Sequence, residues 1–251
     1  MIIAGRHAIL EALRGGSRRL TVIHVDRGAE GRIVDEIARA AALARVPVRE
    51  TAGDEIDRMA PGARHQGVVA ETEAPAEGTL PALLEKIGGG SSPALVVVLD
   101  ELADPQNVGA IVRTAECAGA DGVVITVNRS APVGRGVEKA SAGAVEHLPP
   151  VRVAGLRDAL EKLKRAGCWI VGADTAGEKV YTEADFRRPV ALVLGAEGEG
   201  LRRLTRETCD ELVRIPLMGK IGSLNVSASA AILCYEVVRQ RAGGKAVPGP
   251  R

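Results

Sequence analysis

Three stretches combine residue types that could do chemistry: LDELADPQNVGAIVRTAECAGA, LVLGAEGEGLRRL and IPLMGKIGSLNVSASAAILCYE. Each runs from an apolar strand pattern into a turn of small polar residues and on into a helical pattern. In an open α/β sheet such turns lie at the carboxyl edge of the strands, where ligands bind. In the first, Asp104-Pro105 bends the chain, Asn107 can cap the next helix, and Arg113 follows within an otherwise apolar helix. In the second, Gly195, Gly198 and Gly200 surround Glu197, so backbone could approach a ligand closely while the carboxylate pins a cation or a donor. In the third, Gly219 and Gly222 allow positive φ, and Ser223 and Asn225 stand two residues apart on the turn. Each stretch also has a purely structural reading, with the asparagines and serine as helix caps, Arg113 as a solvated arginine and the glycines as tight turns. The glycine loop at 195–200 is spaced G-x-x-G-x-G, unlike the G-x-G-x-x-G of a dinucleotide site, and a carboxylate sits badly beside a pyrophosphate.

The elements that must position these turns alternate along the chain. Before residue 75 the pattern gives a helix from residue 6, strands at 20–25, 46–50 and 67–73, and a helix over 31–46, which together read as a small α/β unit. Residues 76–93 mix prolines, a glycine triplet and serines around one short helical piece, which is linker chemistry. From 94 to 242 strands are expected at 94–100, 122–128, 168–174, 189–195 and 211–217, separated by helical patterns, and 243–251 is a tail. Continuous apolar strands of this kind suit a parallel sheet covered by helices on both faces.

Composition narrows the partners. With 46% hydrophobic and 26% charged residues the chain can bury a sizeable core, but aromatics make up only 2%, so nucleic acid cannot be held by a row of stacked rings. The formal net charge of +1 gives no global pull toward RNA or DNA, and residues 1–75 are balanced too. Any contact with RNA must come from a local arginine pattern, with Arg6, Arg14, Arg18 and Arg19 as first candidates. Four scattered cysteines and four scattered histidines make neither a disulfide frame nor a metal site, and no apolar run is long enough for a membrane span or signal peptide; the chain reads as cytoplasmic.

The three stretches, in this order and spacing, resemble the signature motifs of the SpoU (TrmH-like) RNA 2′-O-ribose methyltransferases of the SPOUT superfamily, over about residues 94–241. Shorter echoes, GRHAILEAL, HQGVVAE and KASAGAVEHLP, resemble the subgroup acting on a guanosine of 23S ribosomal RNA. The resemblance implies a C-terminal SPOUT domain with a parallel sheet and a trefoil knot, and an N-terminal α/β ribosomal-protein-like (L30e-like) domain that binds RNA. It implies S-adenosylmethionine as cofactor, held by Gly195, Ile215, Gly219 and Leu224, and no metal. Asn107, Arg113, Glu197, Ser223 and Asn225 would form the catalytic site. A homodimer through the SPOUT domain is expected, with Leu233, Tyr235, Val237 and Val238 of the last helix at the interface. Since an arginine guanidinium stays protonated in proteins, Arg113 is better suited to bind a phosphate and stabilise a developing alkoxide than to act as a base. Two other readings remain: a transfer-RNA methyltransferase, and a catalytically silent RNA-binding assembly factor. A nucleotide-dependent oxidoreductase would need the glycine spacing that is missing.

Overall fold

A computed structural model describes residues 2–15, 20–72, 78–196 and 200–243. Its contacts gather into two units, one formed by residues up to 76 with 142–149, the other by 77–141 with 150 onward. The first contains β1 (Ile2–Ala4), α1 (Arg6–Gly15), β2 (Leu20–Asp26), α2 (Arg32–Ala44), β3 (Val48–Thr51), α3 (Gly53–Met59) and β4 (Val68–Thr72). Its sheet runs β1-β4-β2-β3, antiparallel except for the β2–β3 pair. Side chains of a strand alternate between faces, and β4 shows it: Val68 and Ala70 join Ile9, Ile23 and Ile37 on one face, while Val69 packs with Ile56 and Ala60 on the other. The sheet is thus covered on both sides.

Two of the arginines expected to face RNA have structural partners here. Arg6 donates to the carbonyls of Gln66 (2.9 Å) and Glu30 (3.0 Å), tying two loops to the start of α1. Arg14 pairs with Glu36 (3.4 Å) and Glu11 (3.6 Å). Arg18 and Arg19 lie outside the described residues.

The second unit continues with α4 (Leu80–Gly89), β5 (Leu95–Asp100), α5 (Pro105–Cys117), β6 (Gly122–Thr126) and α6 (Arg135–Ser141). After α7 (Ala144–His147) come β7 (Val151–Val153), α8 (Leu156–Arg165), β8 (Trp169–Ala173), β9 (Lys179–Val180), β10 (Val190–Gly195), α9 (Arg203–Thr208), β11 (Glu211–Arg214) and α10 (Val226–Ala242). The helix α7 belongs to the first unit, where His147 meets Glu11 at 2.8 Å. The sheet order is β7-β6-β5-β10-β8-β11-β9 and every pair is parallel, as the continuous apolar strands predicted. Val96, Val98, Ala191 and Val193 pack with Leu156, Leu160 and Leu163 of α8. The alternate residues Val97, Leu99, Leu192 and Leu194 are also buried, and α10 packs against α5 and β10.

Three expectations need correcting. The stretch read as linker belongs to the second unit: the short helical piece expected within it is α4, capped by Thr79, and its Leu83 is buried in that unit's core. The strand expected over 211–217 ends at Arg214, because the following residues leave the sheet edge. Leu233 and Val237, expected at a dimer interface, are 1% and 0% exposed within the chain's own core, whereas Tyr235 is 52% exposed.

Near the C-terminal end of α10, Arg241 donates to the carbonyls of Phe186 (3.0 Å), Pro93 (2.6 Å), Ala94 (2.8 Å) and Arg188 (3.0 Å). It fastens the helix to the amino-terminal edge of β5 and to the segment leading into β10. Partial burial presses its pKa below the ordinary arginine value, but four carbonyl acceptors favour the charged form. Arg241→Ala is expected to cost about 2–4 kcal/mol, since bonds to a charged group are the stronger kind and the acceptors would lose their donor. Urea denaturation checks this, and an unchanged midpoint would show the clamp to be dispensable.

Candidate active site

The three turns singled out by residue type follow β5, β10 and β11, at the carboxyl edge of the parallel sheet. After β5, Asp104 rather than Asn107 caps α5, accepting from the backbone N–H of Gln106 (3.0 Å) and Asn107 (3.4 Å). That leaves the Asn107 side chain for another task. It is 8% exposed, and its Oδ1 accepts from Asn225 Nδ2 at 2.9 Å. Asn225 caps α10 with its other end, Oδ1 accepting from Ser227 N (2.9 Å), Ser227 Oγ (2.6 Å) and Ala228 N (3.4 Å). One asparagine pair therefore joins the first and third turns through their helix starts.

Arg113 lies further along α5, exposed, with neither a hydrogen bond nor an ion pair among the described residues. The structure does not join it to Asn107, whose carbonyl is turned to Asn225. Glu197, and with it Gly198, lies outside the described residues.

Gly195 closes β10 where a side chain has no room. A Cβ there would stand 2.1 Å from the Gly200 carbonyl carbon and oxygen. Gly219 and Gly222 differ: a Cβ at either would meet nothing within 4 Å, and neither has positive φ. The close backbone approach expected at Gly195 is present, whereas the positive φ expected at Gly219 and Gly222 is not. Residues 215–224 are irregular, and among the described residues none of their backbone groups is tied by a backbone hydrogen bond.

A cavity of about 280 Å³ opens over the ends of β8, β10 and β11. Gly195, Ile215, Ser223 and Leu224 line it together with Asp174, Arg206, Leu194 and Gly222. Gly219, Asn107, Arg113 and Asn225 are not among its lining residues, although Asn225 sits between Leu224 and Val226, which are. Residue pattern missed Asp174 and Arg206; the signal available was a carboxylate directly following the apolar strand CWIVGA. It also missed the bracket beside the cavity, where buried Asp100 at the end of β5 accepts from Arg202 N (3.2 Å) and Arg202 Nε (3.0 Å), and Glu101 pairs with Arg202 at 2.7 Å.

Three of the four cysteines are too buried to serve as nucleophiles. Burial pushes Cys168 up to about 11 and both Cys209 and Cys234 up to about 12, so these thiols stay protonated at neutral pH. No group of acidic, histidine or cysteine side chains among the described residues could hold a metal ion. No helix among them is long and apolar enough to cross a membrane.

Comparison with known proteins gives this geometry its setting. Over 244 residues the chain is 40% identical to a 23S rRNA (guanosine-2′-O-)-methyltransferase of Bordetella pertussis, covering 96% of this chain and 98% of that protein. Against the enzyme of the same description from Ralstonia nicotianae the identity is 41% over 242 residues, covering 96% of each. The crystal structure of the SpoU methyltransferase AviRb from Streptomyces viridochromogenes, in complex with AdoMet, superposes with a TM-score of 0.80 at 29% identity, over 98% of this chain and 91% of that one. Residues 2–77 match the family described as RNA 2′-O ribose methyltransferase substrate binding. With residues 94–235 matching the SpoU rRNA Methylase family, the chain belongs to that family.

Proposed function

We propose that this protein transfers a methyl group from S-adenosylmethionine to the ribose 2′-hydroxyl of a guanosine in 23S ribosomal RNA. The observation that carries the reading is the cavity at the sheet's carboxyl edge, where Gly195, Ile215, Ser223 and Leu224 meet. The residues present fit the cofactor. Untied backbone groups at 215–224 can hydrogen-bond an adenine, Ile215 and Leu224 supply apolar walls, and Gly195 lets two backbone segments close on each other. Bound there, the cofactor supplies a methyl group made electrophilic by its sulfonium.

The protein's own task is then to align the ribose and stabilise charge. Asn225 and Asn107 hold the starts of α10 and α5 together at 2.9 Å and so fix the turn that carries Ser223. Ser223 presents a hydroxyl to the ribose. Arg113, exposed and without a hydrogen bond or ion pair among the described residues, binds an RNA phosphate and stabilises the alkoxide as the hydroxyl passes its proton to water. Glu197 belongs to the same site, and the knotted threading of the segment after β11 goes with this reading. Residues 2–77 bind the RNA substrate. The protein works as a homodimer through the second unit, and the most exposed of its large apolar side chains, Met218, Ile221 and Tyr235 at 97%, 78% and 52%, are available for pairing.

Relatives bearing the 23S ribosomal name favour that substrate over transfer RNA. Transfer of tritiated methyl to unmodified ribosomal RNA and, separately, to transfer RNA decides between them. Label in large-subunit RNA is expected. Label in transfer RNA alone would overturn the substrate, and cofactor binding without label in either would favour a silent assembly factor.

A further inference from the structure

Asp174 and Arg206 are the only charged residues that line the cavity among those described. They come from different elements, the turn after β8 and the helix α9. The Asp174 side chain is 5% exposed; its Oδ1 accepts from Ala176 N at 2.9 Å, while its buried Oδ2 lies 2.5 Å from Arg206 Nη2 in an ion pair that makes no aligned hydrogen bond. Buried and already charge-paired with Arg206, this carboxylate is not the group that would take an anionic ligand. Arg206 is the reverse. Its side chain is 43% exposed, and beyond the ion pair none of the five N–H donors of its planar fork makes a hydrogen bond to a described residue.

We infer that Arg206 is a specificity residue that binds the α-carboxylate of the cofactor, and that Asp174 is a positioning residue that holds the guanidinium for it. This rests on the cavity being the cofactor site. S-adenosylmethionine carries one anionic group, the carboxylate of its amino-acid end, and a planar guanidinium matches a carboxylate better than any other side chain does. The buried Asp174 cancels most of the arginine's charge before the ligand arrives, which avoids leaving an uncompensated cation in the empty cavity. It also keeps the guanidinium at the cavity wall, so less side-chain freedom is lost on binding. Neighbouring Ile215 and Leu224 supply apolar surface with which the amino-acid end has no charge to match. Among the described residues the pair is thus the one place in the cavity that distinguishes the cofactor from its decarboxylated analogue.

The test is calorimetric titration of the full chain with S-adenosylhomocysteine and with the same thioether lacking its carboxyl group. The wild type is expected to prefer the carboxylated ligand by about 10-fold or more, the worth of one charge-assisted bond. Arg206→Ala should weaken S-adenosylhomocysteine by that factor and leave the decarboxylated ligand unchanged, so that the preference disappears. Arg206→Lys, which keeps the charge and loses the fork, should restore part of it, and Asp174→Asn should reduce it. Equal weakening of both ligands in Arg206→Ala would reveal a merely structural ion pair and overturn the inference, as would no change in either. Ile215→Trp, which narrows the cavity away from the pair, separates the two readings. If it leaves S-adenosylhomocysteine binding intact, the cavity is not the cofactor site and both readings fall.

Discussion

Replacing Arg113 by alanine is expected to lower the methyl-transfer rate by about 10²–10³-fold, the usual cost of losing one donor aimed at developing negative charge. Cofactor affinity should not change, because Arg113 does not line the cavity. The fold should hold as well, since the side chain is exposed and neither hydrogen-bonds nor pairs with a described residue. That combination separates it from the cap residues: Asn225 supports the start of α10, so its loss would disturb both structure and rate. Arg113→Lys retains the charge without the fork and should recover part of the rate. Single-turnover transfer at saturating cofactor, with a parallel titration of S-adenosylhomocysteine, measures both quantities. A loss of cofactor binding equal to the loss of rate would mean that Arg113 shapes the cavity and does not act on the RNA.

Gly195→Ala should be the most damaging single methyl group in the second unit's binding edge. The added Cβ would stand 2.1 Å from the Gly200 carbonyl and 2.5 Å from the Leu201 nitrogen. These are backbone atoms, so no side chain can swing aside. The segment is also held from several directions: Gly200 N donates to Ala196 O at 2.9 Å, Leu201 is 3% exposed in the core, and Arg202 is anchored on Asp100. Overpacking of this kind costs about 2–4 kcal/mol when the surroundings cannot give. Because the shift would fall on the cavity wall, cofactor affinity should drop by at least about 10-fold, equivalent to 1.4 kcal/mol. Denaturation and calorimetry read the two effects. Wild-type stability in this variant would mean that the turn is looser than the packing around Leu201 implies.

What the residue pattern conveyed, and what it did not, follows from the range of the interactions. Strands such as LVVVLD and VALVLG are buried on both faces and declare themselves as unbroken apolar runs, so the parallel sheet was legible. The short strands β1, β7 and β9 were not expected, because two or three residues carry no period. The helix α4 was expected as a short helical piece, but the prolines and glycines around it concealed that its Leu83 packs into the second unit's core. At the site, glycine, serine and asparagine after strand ends marked the right edge of the sheet. Residue type could not show that Asp104 takes the capping role and frees Asn107 for a partner 118 positions away. Nor could it join Asp174 to Arg206, or Asp100 to Arg202, since each pair unites elements that only the folded sheet brings together.

The most direct test of the proposed chemistry is nucleoside mass analysis of unmodified large-subunit ribosomal RNA incubated with the full chain and S-adenosylmethionine, beside the Arg113→Ala variant. The result expected is 2′-O-methylguanosine from a single site with the wild type and almost none with the variant. Methyl groups on a base, or equal ribose methylation by both proteins, would contradict the roles assigned to Arg113 and to the cavity at the carboxyl edge of the sheet.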